Sequence, residues 1–346
     1  MLRFFANKSR FPPSHTWLNR DRLVFVVVLV VLFVAKYTYK YVDAFYNSAG
    51  EFQGRPFVDM KLTGSDLWDK HALKNGYVVK DGLETDDNAT TSANICNDFF
   101  AQWPSDCVDK NKDLHEKLRV LSAQMVAMDS KLTLFVTDMK GCSFPYKNIL
   151  VEKFNQTDLL IETGFEPAFP KMDTWVKTRY TRISDILRLG LAYKYKMSYI
   201  DTDITFLELK KQLYMKQYVG AALWSNKKNA IEITNGAFCL PQNILKDMMS
   251  YQKERIVNGD DTYFYTELGP STFHNVLMNR HAVVLYSQNA PAERSLDEIA
   301  RTVHKYGHKQ LHLTGHVRKG NPELKFSEIV NTIRKKCGIP QLHYEP

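Results

Sequence analysis

Two neighbouring stretches constrain this chain more than any others: Arg182-Ile183-Ser184-Asp185-Ile186-Leu187-Arg188 and Tyr199-Ile200-Asp201-Thr202-Asp203-Ile204. In the first, Ile183, Ile186, Leu187 and Leu191 recur at helical spacing and predict a single apolar stripe. Arg182, Asp185 and Arg188 fall three apart, so they line a different, polar face of the same helix. The second stretch predicts a short buried strand that ends in two carboxylates separated by one residue. Residues i and i+2 of extended backbone point to the same side, so Asp201 and Asp203 converge. Close carboxylates repel unless positive charge lies between them, and a hard divalent cation held by oxygen ligands meets that need. An isolated Asp-x-Asp is usually a solvated turn. This one follows a helix and an apolar strand, where open α/β sheets bind their ligands. An EF-hand is excluded, because the sixth position counted from Asp201 is Phe206 and the twelfth is Gln212.

Around this unit, Leu118–Met128 predicts an amphipathic helix and Leu132–Thr137 a strand, with further strands at Ile149–Val151 and Tyr218–Leu223. The alternation of helices and strands predicts a mostly parallel sheet with helices on both faces. With 346 residues, 44% of them hydrophobic, the chain can bury a large core. Its net charge of +8 invites a nucleic-acid reading, but no basic stripe with interleaved aromatics accompanies it.

The N-terminal part reads differently. Residues 1–22 carry Arg3, Lys8, Arg10, Arg20 and Arg22 against Asp21, and Leu23–Ala35 is an unbroken apolar run. As a helix that run spans only about 20 Å. Snorkelling Lys36 and Lys40 and interfacial Tyr37, Tyr39 and Tyr41 extend it toward a spanning length. The expectation is a cytosolic tail at 1–22, a transmembrane signal anchor at 23–42, a stem at 43–113 and a globular domain at 114–346. The positive flank places everything after the anchor in the lumen. A cleaved signal peptide is the rival reading, although no small-x-small site follows the run. Sequons at Asn88 and Asn155 agree with a lumenal side. Cys96, Cys107, Cys142, Cys239 and Cys337 all lie beyond the anchor; Cys96–Cys107 is the expected bridge, and the odd number leaves one thiol over. None has zinc-like spacing.

Three later segments add chemistry. Thr234-Asn235-Gly236-Ala237-Phe238 returns to the sheet with a glycine that permits close backbone approach. Asp260-Asp261 precedes Gly269-Pro270, which reads either as a helix start or as a stretch that resembles the Gly-Pro segment of the α-1,4-glycosyltransferases. Leu311-His312-Leu313-Thr314-Gly315-His316-Val317-Arg318-Lys319 offers imidazoles and two cations, and a lone histidine is more often structural than a ligand.

Ser184-Asp185-x-x-Arg188 followed by Tyr199-x-Asp201-x-Asp203 resembles the DXD glycosyltransferases, in particular the α-1,4-glycosyltransferase and initiating mannosyltransferase family. The sixteen positions between Asp185 and Asp201 match that pattern. One departure is Lys196-Met197, where the family usually has Gly-Gly. His312-x-x-Gly315-x-x-Arg318 is similar to the His-x-x-Gly-x-x-Lys segment of glycogenin-type retaining transferases, with Arg318 at the lysine position and Lys319 after it.

The resemblance implies a GT-A fold (a Rossmann-like, mostly parallel sheet), Mn2+ or Mg2+ as cofactor, and retaining transfer from a nucleotide-sugar donor. The acceptor would be a glycan, glycoprotein or glycolipid. Asp201, Asp203 and His312 would hold the metal. Asp185 and Arg188 would be the catalytic pair that grips the sugar. Asn235, Gly236, Gly315, Arg318 and Lys319 would line the donor site. A type II protein of the Golgi or ER membrane follows from the anchor. A catalytically silent sugar-binding protein on the same fold is the alternative, and a metal-dependent nucleotidyl- or phosphotransferase is a third class.

Overall fold

A computed structural model describes residues 60–63, 94–108, 112–170, 180–224, 230–258, 268–280, 283–289, 295–313 and 315–344. The expected tail, the anchor at 23–42, most of the stem, Asn88 and Asp260-Asp261 lie outside these residues. Among the described residues no helix is long and apolar enough to cross a membrane. The chain divides into Met1–Arg55 and Pro56–Pro346, and the second unit carries the fold below.

Ten strands form one sheet: β1 (Met60–Thr63), β2 (Phe99–Trp103), β3 (Leu132–Val136), β4 (Ile149–Lys153), β5 (Ser198–Ile200), β6 (Ile204–Phe206), β7 (Tyr218–Trp224), β8 (Ala230–Cys239), β9 (Val283–Asn289) and β10 (Gln310–His312). Their order is β4-β3-β2-β5-β8-β7-β9-β10-β6, with β1 also paired to β9. Pairing is parallel except at β5/β8, β7/β8 and β10/β6. The expected mostly parallel α/β sheet is therefore present, with an antiparallel insertion at β8.

Alternate residues of the central strands enter different cores, as a period of two requires. Phe100, Tyr199 and Phe238 pack with the helices α2 (Gln156–Glu162), α3 (Tyr180–Tyr195), α5 (Gln242–Asn258) and α6 (Pro270–Arg280). Phe99, Ala101, Ile200, Ala237 and Cys239 face the other way, toward Leu114, Leu118, Leu121 and Met125 of α1 (Lys112–Ala127) and Tyr214 at the end of α4 (Lys211–Tyr214). A third cluster joins Val120 and Ala123 of α1 to α7 (Leu296–Tyr306), α8 (Gly315–Gly320) and α9 (Phe326–Lys336).

Two expectations are corrected here. The globular part begins before Leu114: β2 is a central strand between β3 and β5, with Phe99, Phe100 and Ala101 fully buried. A strand covered on both faces shows no polar–apolar alternation, so nothing in its pattern separates it from a short apolar patch in a stem. The bridge Cys96–Cys107 is not formed. The disulfides are Cys96–Cys239 and Cys107–Cys142, and Cys337 is free. The segment between Cys96 and Cys107 is not a loop but contains β2, whose five residues extend about 16 Å and hold the two cysteines apart.

The helix–strand unit forms as expected. Ile183, Ile186, Leu187 and Leu191 of α3 are buried in the first core. The helix stops at Tyr195, and Lys196 then takes a left-handed conformation with φ of 54°. That is the conformation a glycine adopts without strain at this position. Lys196-Met197 in place of Gly-Gly thus keeps a tight left-handed exit into β5.

Candidate metal centre

The short turn between β5 and β6 carries Asp201 and Asp203, and two strand pairings aim it. Asp201 N–H donates to Gly236 O of β8 at 2.7 Å, and Ile204 N–H to Asp201 O at 3.0 Å. On the other side β10 runs antiparallel to β6 with His312 opposite Ile204, and Leu313 N–H donates to Asp203 O at 2.9 Å. A histidine more than a hundred positions away is thereby placed beside the second carboxylate. One ligand atom each from Asp201, Asp203 and His312 lies within 4.8 Å of the others. Two carboxylates and an imidazole fit a divalent cation of the manganese or magnesium type.

The two carboxylates have different partners. Tyr199 hydroxyl donates to Asp201 Oδ1, and Arg188 Nη1 lies 3.4 Å from Asp201 Oδ2. Asp203 Oδ1 faces His312 Nε2 at 3.2 Å, and its Oδ2 lies 3.7 Å from Lys117 Nζ. Burial by itself would raise Asp203, but the charge and hydrogen bond of His312, reinforced by Lys117, hold it below the usual carboxylate range. Burial likewise opposes a charged His312, and the charge and hydrogen bond of Asp203 outweigh it, so the imidazole is raised above its ordinary value. A metal binding at His312 competes with a proton there.

Behind this cluster lies a buried polar network on α3. Arg188 donates to Asn235 O at 2.8 Å, to Ser184 O at 3.3 Å and to Ser184 Oγ at 3.2 Å, and its guanidinium lies 4.9 Å over the Tyr199 ring. Asp185 Oδ1 accepts from Asn235 Nδ2 at 2.7 Å and pairs with Arg188 Nη2 at 3.2 Å. Burial pushes Asp185 up to about 6 against the opposing pull of Arg188 and Asn235. Burial also carries the Tyr199 phenol well above its ordinary value. The polar face of α3 is thus an interior one: Arg182, Asp185 and Arg188 are all buried. Arg188 joins Asp185 to Asp201, so the helix pair and the carboxylate pair form one unit.

Gly236 is where the sheet needs no side chain. A Cβ there would lie 2.6 Å from Ile204 Cδ1 and 3.0 Å from Asp201 Oδ2. The close approach expected at this glycine is to the carboxylate turn itself. Gly269 behaves alike, since a Cβ would meet Asn235 Nδ2 at 2.7 Å and Asp185 Oδ2 at 2.8 Å. Pro270 opens α6, so the helix-start reading of Gly269-Pro270 holds.

Gly315 opens α8, which carries Arg318 and Lys319. Arg318 is ion-paired with Asp113, which lies beside Lys117 and through it beside Asp203, while Lys319 is exposed. Two residues escaped the sequence reading. Tyr199 could have been found, because it precedes Asp201 by two positions and so shares its side of the strand. Lys117 left no signal, since only the packing of α1 across the sheet brings it to Asp203.

No protein-family model matches the chain, and no curated protein does. Among solved structures it is similar to one titled "PaToxG Glycosyltransferase", at 14% identity over 72% of this chain and 81% of that one, with a TM-score of 0.39. A likeness at that level assigns no function to this chain.

Proposed function

We propose that the chain is a metal-dependent retaining glycosyltransferase. It would move a hexose or N-acetylhexosamine from a nucleotide-sugar donor to a glycan, glycoprotein or glycolipid acceptor. The observation that carries this reading is the convergence of Asp201, Asp203 and His312 at one turn, backed by the Asp185–Arg188–Asn235 network. Asp201, Asp203 and His312 hold the cation. When bound, a divalent cation supplies positive charge against the diphosphate that leaves the anomeric carbon. Arg188 and Tyr199 fix the Asp201 carboxylate, and Asp185 and Asn235 offer acceptor and donor atoms to sugar hydroxyls.

The metal centre is tested by calorimetric Mn2+ titration with a nucleoside diphosphate present. Asp203→Asn removes a hard ligand and should abolish detectable Mn2+ binding while the apo fold survives. Unchanged Mn2+ affinity in Asp203→Asn would return Asp-Thr-Asp to a plain turn.

We further place the domain in the lumen of the Golgi or ER, on a type II anchor at 23–42. The support is the basic flank before the apolar run, two disulfides, and the exposed Asn155 of an acceptor sequon. Protein made in a secretory cell should gain mobility on glycosidase treatment and resist carbonate extraction. A carbonate-soluble, unglycosylated product would overturn this topology.

A further inference from the structure

One carboxylate serves two cations beside the metal centre. Asp113 Oδ2 lies 3.5 Å from Lys117 Nζ and is ion-paired with Arg318 Nη1. Lys117 Nζ in turn stands 3.7 Å from Asp203 Oδ2. Asp113 and Lys117 sit one turn apart on α1, and Arg318 comes from α8. An oxygen anion shared by an ammonium and a guanidinium, next to carboxylates suited to a divalent cation, is the bonding environment of a polyphosphate oxygen.

We propose that Asp113 is an internal stand-in for phosphate. It occupies the anion position of a diphosphate subsite built from Lys117 and Arg318, and an incoming diphosphate displaces it. The identity of the ligand rests on the transferase reading, but the subsite itself needs only the two cations.

Charge favours the exchange. Lys117 lies between two carboxylates, Asp113 and Asp203, and Arg318 is balanced by Asp113. A divalent cation on Asp203 takes that carboxylate away from Lys117, and the two side-chain cations are left to share Asp113. A diphosphate carries several negative charges and restores the balance. The ion pair it replaces is weak enough to yield, because Asp113 and Arg318 side chains keep 30% and 40% of their exposure and are screened by water. Lys117 is held more firmly, at 12% exposure, and so fixes where the phosphate settles.

The experiment is calorimetric titration of inorganic pyrophosphate, with and without Mn2+, into the wild-type protein, Asp113→Asn, Asp203→Asn and Lys117→Met. Asp113→Asn should bind pyrophosphate about tenfold more tightly and Lys117→Met about tenfold more weakly. Thermal melts establish that each variant is folded, and Asp113→Ser carries the same expectation should Asp113→Asn fail to fold. Equal or weaker pyrophosphate binding in the folded Asp113 variants overturns the proposal, as does a wild-type protein that binds no pyrophosphate. If Asp113→Asn tightens binding but Mn2+ and Asp203→Asn have no effect, the subsite stands and the transferase reading falls. If binding depends on Mn2+ and Asp203 but not on Asp113, the metal centre stands and the subsite falls.

Discussion

At the scale of single residues, the centre is organised by what each carboxylate oxygen already has. Asp201 is held by Tyr199 and Arg188, and Asp203 by His312 and Lys117, so the two acids of one short motif have different roles before any ligand arrives. Gly236 allows that arrangement, since an added Cβ would press Ile204 and the Asp201 carboxylate at once. Away from the centre, His308 makes a pH prediction with a definite sign. Burial depresses its pKa from 6.5 to about 3. The unfolded chain therefore takes up a proton that the folded chain resists. The stability contributed by neutral His308 is complete above pH 6.5 and is lost as pH falls toward 3, at about 1.4 kcal/mol per pH unit. Thermal or urea melts of wild-type protein and His308→Gln between pH 7.5 and 5 measure it (buffer range on the order of the free imidazole pKa). The wild-type protein should lose stability more steeply than the variant over that range, and parallel curves would show that His308 is not buried neutral.

At the scale of elements, what was legible in the chain is what is local. The stripe of α3, the strand β3, the exit into β5 and the paired carboxylates all follow from spacings of two to four residues, and each forms where expected. What was not legible depends on contacts distant in sequence. The placement of β2 at the centre of the sheet is of this kind, and so is the antiparallel seating of β8 between β5 and β7. The strand β10 adds His312 to the centre only because it pairs with β6, which no local pattern announces. The departure at Lys196 is legible in hindsight as a conformational one. A non-glycine residue held at φ of 54° is strained by roughly 1 kcal/mol. Lys196 is exposed, so glycine there loses little packing. Lys196→Gly should raise unfolding stability by about 1 kcal/mol in urea without altering Mn2+ affinity. A destabilised variant would mean that the lysine side chain contributes more than its backbone costs.

At the scale of the whole described unit, the two disulfides fasten the sheet on either side of β2. Cys107–Cys142 spans 35 positions and joins the segment after β2 to the segment after β3. Cys96–Cys239 spans 143 positions and ties the approach to β2 onto the last residue of β8, where both cysteines are buried in the core that α1 covers. The strand that α1 follows and the strand that aims Asp201 are thus covalently linked, and Met215 O accepts from Cys96 N–H beside the link. In the chain-entropy account a cross-link closing so long a loop stabilises by roughly 4–5 kcal/mol, against about 3–4 for the shorter one. The paired substitution Cys96→Ala with Cys239→Ala should therefore lower Tm by roughly 10 °C, and by more than Cys107→Ala with Cys142→Ala. Because the longer bridge anchors β8 behind Asn235 and Gly236, its loss should also weaken Mn2+ binding at temperatures below the melt. Peptide mapping under non-reducing conditions checks the pairing directly. It should recover Cys96 joined to Cys239, Cys107 joined to Cys142, and Cys337 open to alkylation. A peptide joining Cys96 to Cys107 would contradict a strand between them, and with it the central place of β2.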